Sequence, residues 1–501
     1  MYSPNVNVRL FFEVLLSGFI LMSFEMLGFR LLAPYFGYSI YVFGNLIGSI
    51  MLALFSGYIL GGFLSKKVNS ERFFKILVFA GLAYFGLVLL FYDFILGSFA
   101  NFGFVFGVLI SSLSIFFIPS LILACLSPYF LKTASLKNED VGFTGGKIYA
   151  IGTMGSLLGI YLTSFWLIPN FGTGVSLFIN FIIFFLLTCL ILRKKFLIIS
   201  IAVFVVFGSC YFAKNSLSKK DSRIIYVGDS AYNYLEVKDY EKFLALKTDK
   251  KSLFVQSVFY QDEEYKNKRK NVDIYDVFEV TPKLNNAKNV LLLGLGAGTV
   301  PYMYSNSHGL KITAVELDPK IIDLGFKFFH LGENKNLKIV NQDARYFMNE
   351  NLDKFDLILV DLFSGMAEMP FYTDTKEFFQ LIKNSLNKNG LLAINVFDPS
   401  LKEIIISPTR NTISSIFKNS YNLDLRFGSH VVVASENSVN FEKIFGQNKE
   451  NQKTADYFLK NYKKIGFDNK ETVFSDDNSP LESLTYRAIS KDFLKLFREL
   501  D

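Results

Sequence analysis

The chain has 501 residues, too many for one ordinary domain, and 51% of them are hydrophobic, too apolar for a soluble protein of this length. The formal net charge of +7 is modest and does not call for a nucleic acid partner. All three cysteines (Cys125, Cys189 and Cys210) lie in the apolar half without ligand spacing, and the three histidines are scattered, so metal and thiol chemistry are not expected.

Residues 10–213 carry few charges, almost all near the ends of apolar runs. The runs near 10–33, 40–64, 73–92, 101–131, 143–168, 174–192 and 196–213 each approach the length needed to cross ~30 Å of hydrocarbon. This predicts an N-terminal helical membrane domain, 1–213, of about seven spans, with the lipid bilayer as its partner. Pro119 interrupts the fourth run. No cleavable signal is evident. Glycines recur four apart at Gly44/Gly48, Gly57/Gly61, Gly142/Gly146 and Gly155/Gly159, the pattern of closely packed membrane helices. Glu25 lies inside the first span, where a carboxylate needs a partner, and Arg30 or Lys147 is expected to supply it. A juxtamembrane linker, 214–223, follows and is basic, suited to anionic headgroups or merely solvated. With seven spans the basic loops lie opposite the C-terminal domain, which the positive-inside rule would then place outside. Adenosyl compounds are made in the cytosol, however, so a cytoplasmic domain is the expectation, and an even span count would remove the conflict.

From residue 224 short alternating runs, 224–227, 232–237, 243–246 and 252–255, predict a small antiparallel β-domain extending to about 285. Strands then alternate with helices over 286–501, the pattern of a Rossmann-like parallel sheet. The predicted strands are 290–293, 311–315, 337–340, 356–360, 391–396 and 431–435. The first runs into Gly294-x-Gly296-x-Gly298, a turn that lets backbone approach a ligand closely. The second ends in Glu316, placed to grip ribose hydroxyls. Asp343 after the third strand can accept from an exocyclic amine or cap the helix beginning at Ala344. Asp361 ends the fourth strand, where a carboxylate can act as a base, and Asn395 is a further polar strand end. Asp356, at the start of its strand, is expected to cap structure.

The order Val-Leu-Leu-Leu-Gly-Leu-Gly-Ala-Gly, Val-Glu-Leu-Asp-Pro, Gln-Asp-Ala and Phe-Asp-Leu-Ile-Leu-Val-Asp resembles the polyamine aminopropyltransferases, or spermidine synthases. Phe24-Glu-Met-Leu-Gly-Phe-Arg30, Gly146-Lys-Ile-Tyr-Ala-Ile-Gly and Ser475-Asp-Asp-Asn-Ser-Pro-Leu-Glu482 extend the likeness to membrane-fused relatives. The resemblance implies a class I methyltransferase fold behind an N-terminal β-domain. It implies that Gln256, Glu316, Asp343 and Ala344 contact decarboxylated S-adenosylmethionine or its thioether product, with Asp361 as catalytic base.

Two departures bear on the acceptor. The family's acid within the glycine turn is here Ala297, and a second acid three residues after the base is here Ser364. Tyr265 and Tyr275 both compete for a tyrosine of the β-domain signature, and Glu368, Asp374, Asp476 and Asp477 are acids that could replace the missing anchors. The expected acceptor-side residues are thus Ser364, Tyr275, Asp476 and Asp477. The leading function is transfer of an aminopropyl group to a small amine such as putrescine. The rivals are methyl transfer from S-adenosylmethionine to a membrane-associated acceptor, and a non-catalytic nucleoside or polyamine sensor or transporter. Self-association into a homo-oligomer stays open.

Overall fold

The computed structural model describes residues 7–488 except 68–69, 101, 103, 136–140, 193, 218–220, 251–254, 270, 306–308, 364–367, 401, 447–450 and 486. Contacts divide the chain into a helical unit, Met1–Asp221 with Gly228–Ala231, and a second unit, Ser222–Val227 with Tyr232–Asp501.

In the helical unit, six helices among the described residues are long and apolar enough to cross a membrane. The count differs from seven because two of the runs fall in one stretch, Val141–Ile191, which is two helices meeting at a kink. Gly172, with φ +76°, breaks the helical geometry there. Pro119 does not end its helix, because the backbone just before it, Leu113–Phe117, is a π-helical turn. The wider turn accommodates a residue with no N–H to donate.

Only some of the glycine pairs are close contacts. A Cβ on Gly155 or Gly159 would come within 2.0 or 2.4 Å of the carbonyl oxygens of Leu15 and Phe19. Gly57 and Gly61 meet the helix of Leu121 and Cys125 in the same way, at 2.5 and 2.4 Å. Gly44, Gly48 and Gly146 face open space. The expected pairing of Glu25 is not found among the described residues. Its Oε2 is buried without a hydrogen-bond partner, Arg30 Nη2 donates to the Ser230 carbonyl at 2.7 Å, and the Lys147 ammonium lies over the Phe143 ring.

The second unit opens with a four-stranded antiparallel sheet, β1 (Ile224–Asp229), β2 (Tyr234–Asp239), β3 (Phe243–Lys247) and β4 (Ser257–Tyr260). The fourth strand therefore lies beyond the expected 252–255, most of which is outside the described residues. An eight-stranded sheet follows: β5 (Asn289–Leu293), β6 (Lys311–Glu316), β7 (Leu337–Asn341), β8 (Phe355–Val360), β9 (Leu386–Phe397), β10 (Asn419–Asp424), β11 (Ser429–Ser435) and β12 (Tyr462–Ile465). Its order is β12-β10-β11-β9-β8-β5-β6-β7. Strands β5 to β9 are mutually parallel, whereas β11 runs antiparallel to β9, and β10 to both β11 and β12. This is a class I methyltransferase-like sheet. The sequence reading missed β10 and β12. The first, Asn-Ser-Tyr-Asn-Leu-Asp, lacks a β-branched residue, and the second, Tyr-Lys-Lys-Ile, is a short edge strand whose lysines suit an exposed rim.

The chain reverses its winding between β5 and β8, and the crevice outside their carboxyl ends is where such sheets bind ligands. Asp356 caps the opposite end of β8, accepting from the backbone N–H groups of Lys288 and Asn289 at 2.9 and 3.0 Å.

The helix packing gives a direct test. Gly155→Ala should destabilise the helical unit by about 1–3 kcal/mol, the usual cost of overpacking. Gly48→Ala, whose Cβ meets nothing, should not. Thermal unfolding in detergent distinguishes the two, and equal midpoints would refute the packing contact.

Candidate functional site

The glycine turn is wedged between two strand tips. Gly294, Gly296 and Gly298 have φ of +91°, +55° and +99°. A Cβ on Gly294 would stand 2.1 Å from the Asp361 carbonyl oxygen, so the turn can lie against β8 only because it has none. Ser257 of β4 secures the other side, its Oγ accepting from Ala297 N at 2.8 Å.

Glu316 at the end of β6 faces this turn. Its Oε2 accepts from Gly296 N at 2.9 Å and its Oε1 from Asp318 N at 3.0 Å. Burial pushes its pKa up to about 7, against the lowering effect of those two N–H groups. The carboxylate thus shapes the turn as well as facing the cleft. Asp343 serves as the N-cap of helix Ala344–Glu350, accepting from Tyr346 N at 2.9 Å, while its Oδ2 receives the Tyr372 hydroxyl at 3.2 Å. Burial, followed by the Asp343 charge, raises the Tyr372 phenol to about 12.

Gly294, Gly296, Glu316, Asp343, Ala344 and Gln256 all line one cleft of about 120 Å³. Gly298 does not, and instead turns the chain into helix Thr299–Met303. Tyr372 was not read from the sequence, because the loop that brings it to Asp343 has no periodic signal.

Asp361 sits at the tip of β8, its N–H donating to the Leu293 carbonyl of β5 at 2.9 Å. Burial raises its carboxyl to about 6, and the Asn395 amide, donating to Oδ1 at 2.9 Å, works in the opposite direction. Tyr275 lies alongside, its hydroxyl donating to the Gln256 carbonyl at 2.9 Å. Burial, then the nearby Asp361 charge, holds this phenol neutral. Of the two tyrosines considered, Tyr275 lines the cleft, whereas Tyr265 is 40% exposed and stacks on Phe243 away from it.

The acceptor-side acids are elsewhere. Asp476 pairs with Arg345 Nη2 at 2.5 Å and accepts from Thr375 Oγ1 at 2.7 Å, and neither it nor Asp477 lines the cleft. The cause is the tight turn holding Ser475 against Asn478, which commits Asp476 to Arg345 and leaves Asp477 exposed. Ser364 lies outside the described residues. Ala297 is fully buried in an apolar cluster with Leu235, Leu246, Leu324 and Phe329, so its side chain packs the turn onto the small sheet. Among the described residues no group of three or more His, Cys, Asp or Glu side chains could hold a metal.

The sheet order defines a class I methyltransferase-like α/β domain behind a small antiparallel sheet. Residues 273–426 match the spermine/spermidine synthase domain. The chain is 27% identical over 326 residues to a "Probable polyamine aminopropyl transferase" of Bifidobacterium longum, covering 60% of this chain and 70% of that one. It is 28% identical over 244 residues to a "Polyamine aminopropyltransferase" of Vibrio vulnificus, covering 46% and 77% respectively. Among solved structures it is similar to a probable spermidine synthase from Corynebacterium glutamicum, at 17% identity and TM-score 0.40, over 51% of this chain and 98% of that one. Residues 273–426 thus resemble a spermine/spermidine synthase domain, and the chain is similar to proteins named polyamine aminopropyltransferases.

The packing of Ala297 alters what an acid there would do. Ala297→Asp would bury a carboxylate among leucines, at a cost of several kcal/mol. It should lower the unfolding midpoint of the detergent-solubilised chain by several degrees or more. An unchanged midpoint would mean that the side chain reaches the cleft.

Proposed function

We propose that this chain is a membrane-anchored aminopropyltransferase that moves an aminopropyl group from decarboxylated S-adenosylmethionine to a small amine. The observation that carries this reading is the position of Asp361. Its carboxylate stands where the nucleoside cleft meets a second cavity, with Oδ1 held by Asn395 and Oδ2 unpartnered among the described residues. The glycine turn and Glu316 would seat the ribose, and Asp343 with Ala344 the adenine. The amine nitrogen would attack the carbon next to the sulfonium as the C–S bond breaks towards sulfur. Methylthioadenosine leaves, and the proton passes from nitrogen to Asp361. A raised carboxyl suits this role, since a base works best when its pKa lies near the working pH.

Six helices of membrane-spanning length and apolarity support anchoring in a bilayer. The soluble unit belongs on the cytoplasmic side in this reading, because adenosyl donors are made there. Methyl transfer from S-adenosylmethionine is the second reading. It uses the same cleft and needs no second acid beside Asp361.

Asp361→Asn should keep nucleoside affinity yet lose turnover by roughly 10²–10⁴-fold, as expected for removing a general base. In the parent, kcat/KM should rise with pH through about 6 as the carboxyl ionises, and then level off. Steady-state kinetics with mass-spectrometric identification of the product checks both points. A methylated amine would favour the second reading, and full activity in the Asn variant would remove Asp361 from the chemistry.

A further inference from the structure

The second cavity, of about 150 Å³, adjoins the nucleoside cleft and shares with it Gln256, Tyr275, Asp361 and Phe363. A water needs roughly 10–15 Å³ of such space, so the chamber holds a molecule of several heavy atoms. Resting on the aminopropyl-transfer reading, we infer that its occupant is a monoamine: one cationic nitrogen on an apolar body, rather than a diamine.

The chamber carries a single negative charge among the described residues. Asp361 is the only carboxylate lining the chamber among the described residues. Beside it, Asn395 gives its amide N–H to Asp361 Oδ1 and leaves its own Oδ1 buried without a partner. One ammonium can pair with Asp361 Oδ2, which provides a seat for one nitrogen. Tyr275, whose hydroxyl proton goes to the Gln256 carbonyl, offers a neutral oxygen and no second negative charge.

The remaining walls are Val255, Ile274, Phe363 and Phe397, with Ser429 the one further polar side chain. A second ammonium would find neutral groups only and no second carboxylate among the described residues. Burying an unpaired charge costs several kcal/mol, whereas an alkyl or aryl body there gains from burial. No acid is at hand to change this balance. Asp374 is buried against Thr409, Asp476 is paired with Arg345, and neither these nor Glu368 and Asp477 line the chamber. The sequences of 251–254, Lys-Ser-Leu-Phe, and 364–367, Ser-Gly-Met-Ala, contain no acidic residue either.

The reaction balances with a monoamine. The bound ammonium gives one proton to Asp361, the resulting neutral amine forms an N–C bond to the aminopropyl carbon, the C–S electron pair goes to sulfur, and the product leaves as a secondary ammonium.

The test is steady-state kinetics on the full chain in detergent with decarboxylated S-adenosylmethionine and butylamine, phenethylamine or putrescine. Methylthioadenosine release and product mass are followed together. A monoamine should exceed putrescine in kcat/KM by at least about tenfold, in line with rejection of a group left unpaired in an apolar pocket. Ser429→Asp, which adds a second carboxylate to the chamber's lining, should shift the preference towards putrescine. Putrescine matching or exceeding both monoamines in the parent would overturn the inference while leaving aminopropyl transfer standing. No methylthioadenosine with any amine would overturn both.

Discussion

The site depends on how closely the glycine turn lies against the tip of β8. Adjacent parallel strands leave only a few ångströms between Gly294 and the Asp361 carbonyl, and no side chain fits there. That approach places the turn that would face a nucleoside directly beside the carboxylate that would serve as base. Glu316 fixes the turn from β6, and Ser257 fixes it from the small sheet. Three separately folded pieces of chain thus converge on five residues of backbone.

Much of this was legible in the sequence, because the parallel sheet writes its site in chain order. Each apolar run ends at the crevice, so Gly294, Glu316, Asp343 and Asp361 could be read as strand-end residues before any coordinate was known. Direction was harder to read. Ala297 stands at an acidic position of the resembling family, yet its side chain points into the small sheet's core, which depends on how two sheets meet. Asp476 carried the right charge but is committed to Arg345, 131 residues away in sequence. Asn395 could be read only as a polar strand end. Its orphaned carbonyl emerges only from the packing around it.

The helical unit shows the same division. Hydropathy located every apolar run, and the kink at Gly172 falls between two of them, 143–168 and 174–192. Four-residue glycine spacing marked both contact faces and open ones, since spacing places residues on one face without saying what that face meets. Glu25 remains the least conventional feature of this unit, a buried carboxylate whose Oε2 finds no donor among the described residues.

The central claim is that the crevice between β5 and β8 seats an adenosyl nucleoside through Glu316. Calorimetric titration of the full chain in detergent with methylthioadenosine tests this most directly, beside Glu316→Gln, which keeps the side chain's shape and removes its charge. The account predicts saturable one-to-one binding by the parent and loss of most of that affinity in the variant. Equal affinity in the two, or no binding by the parent, would contradict it.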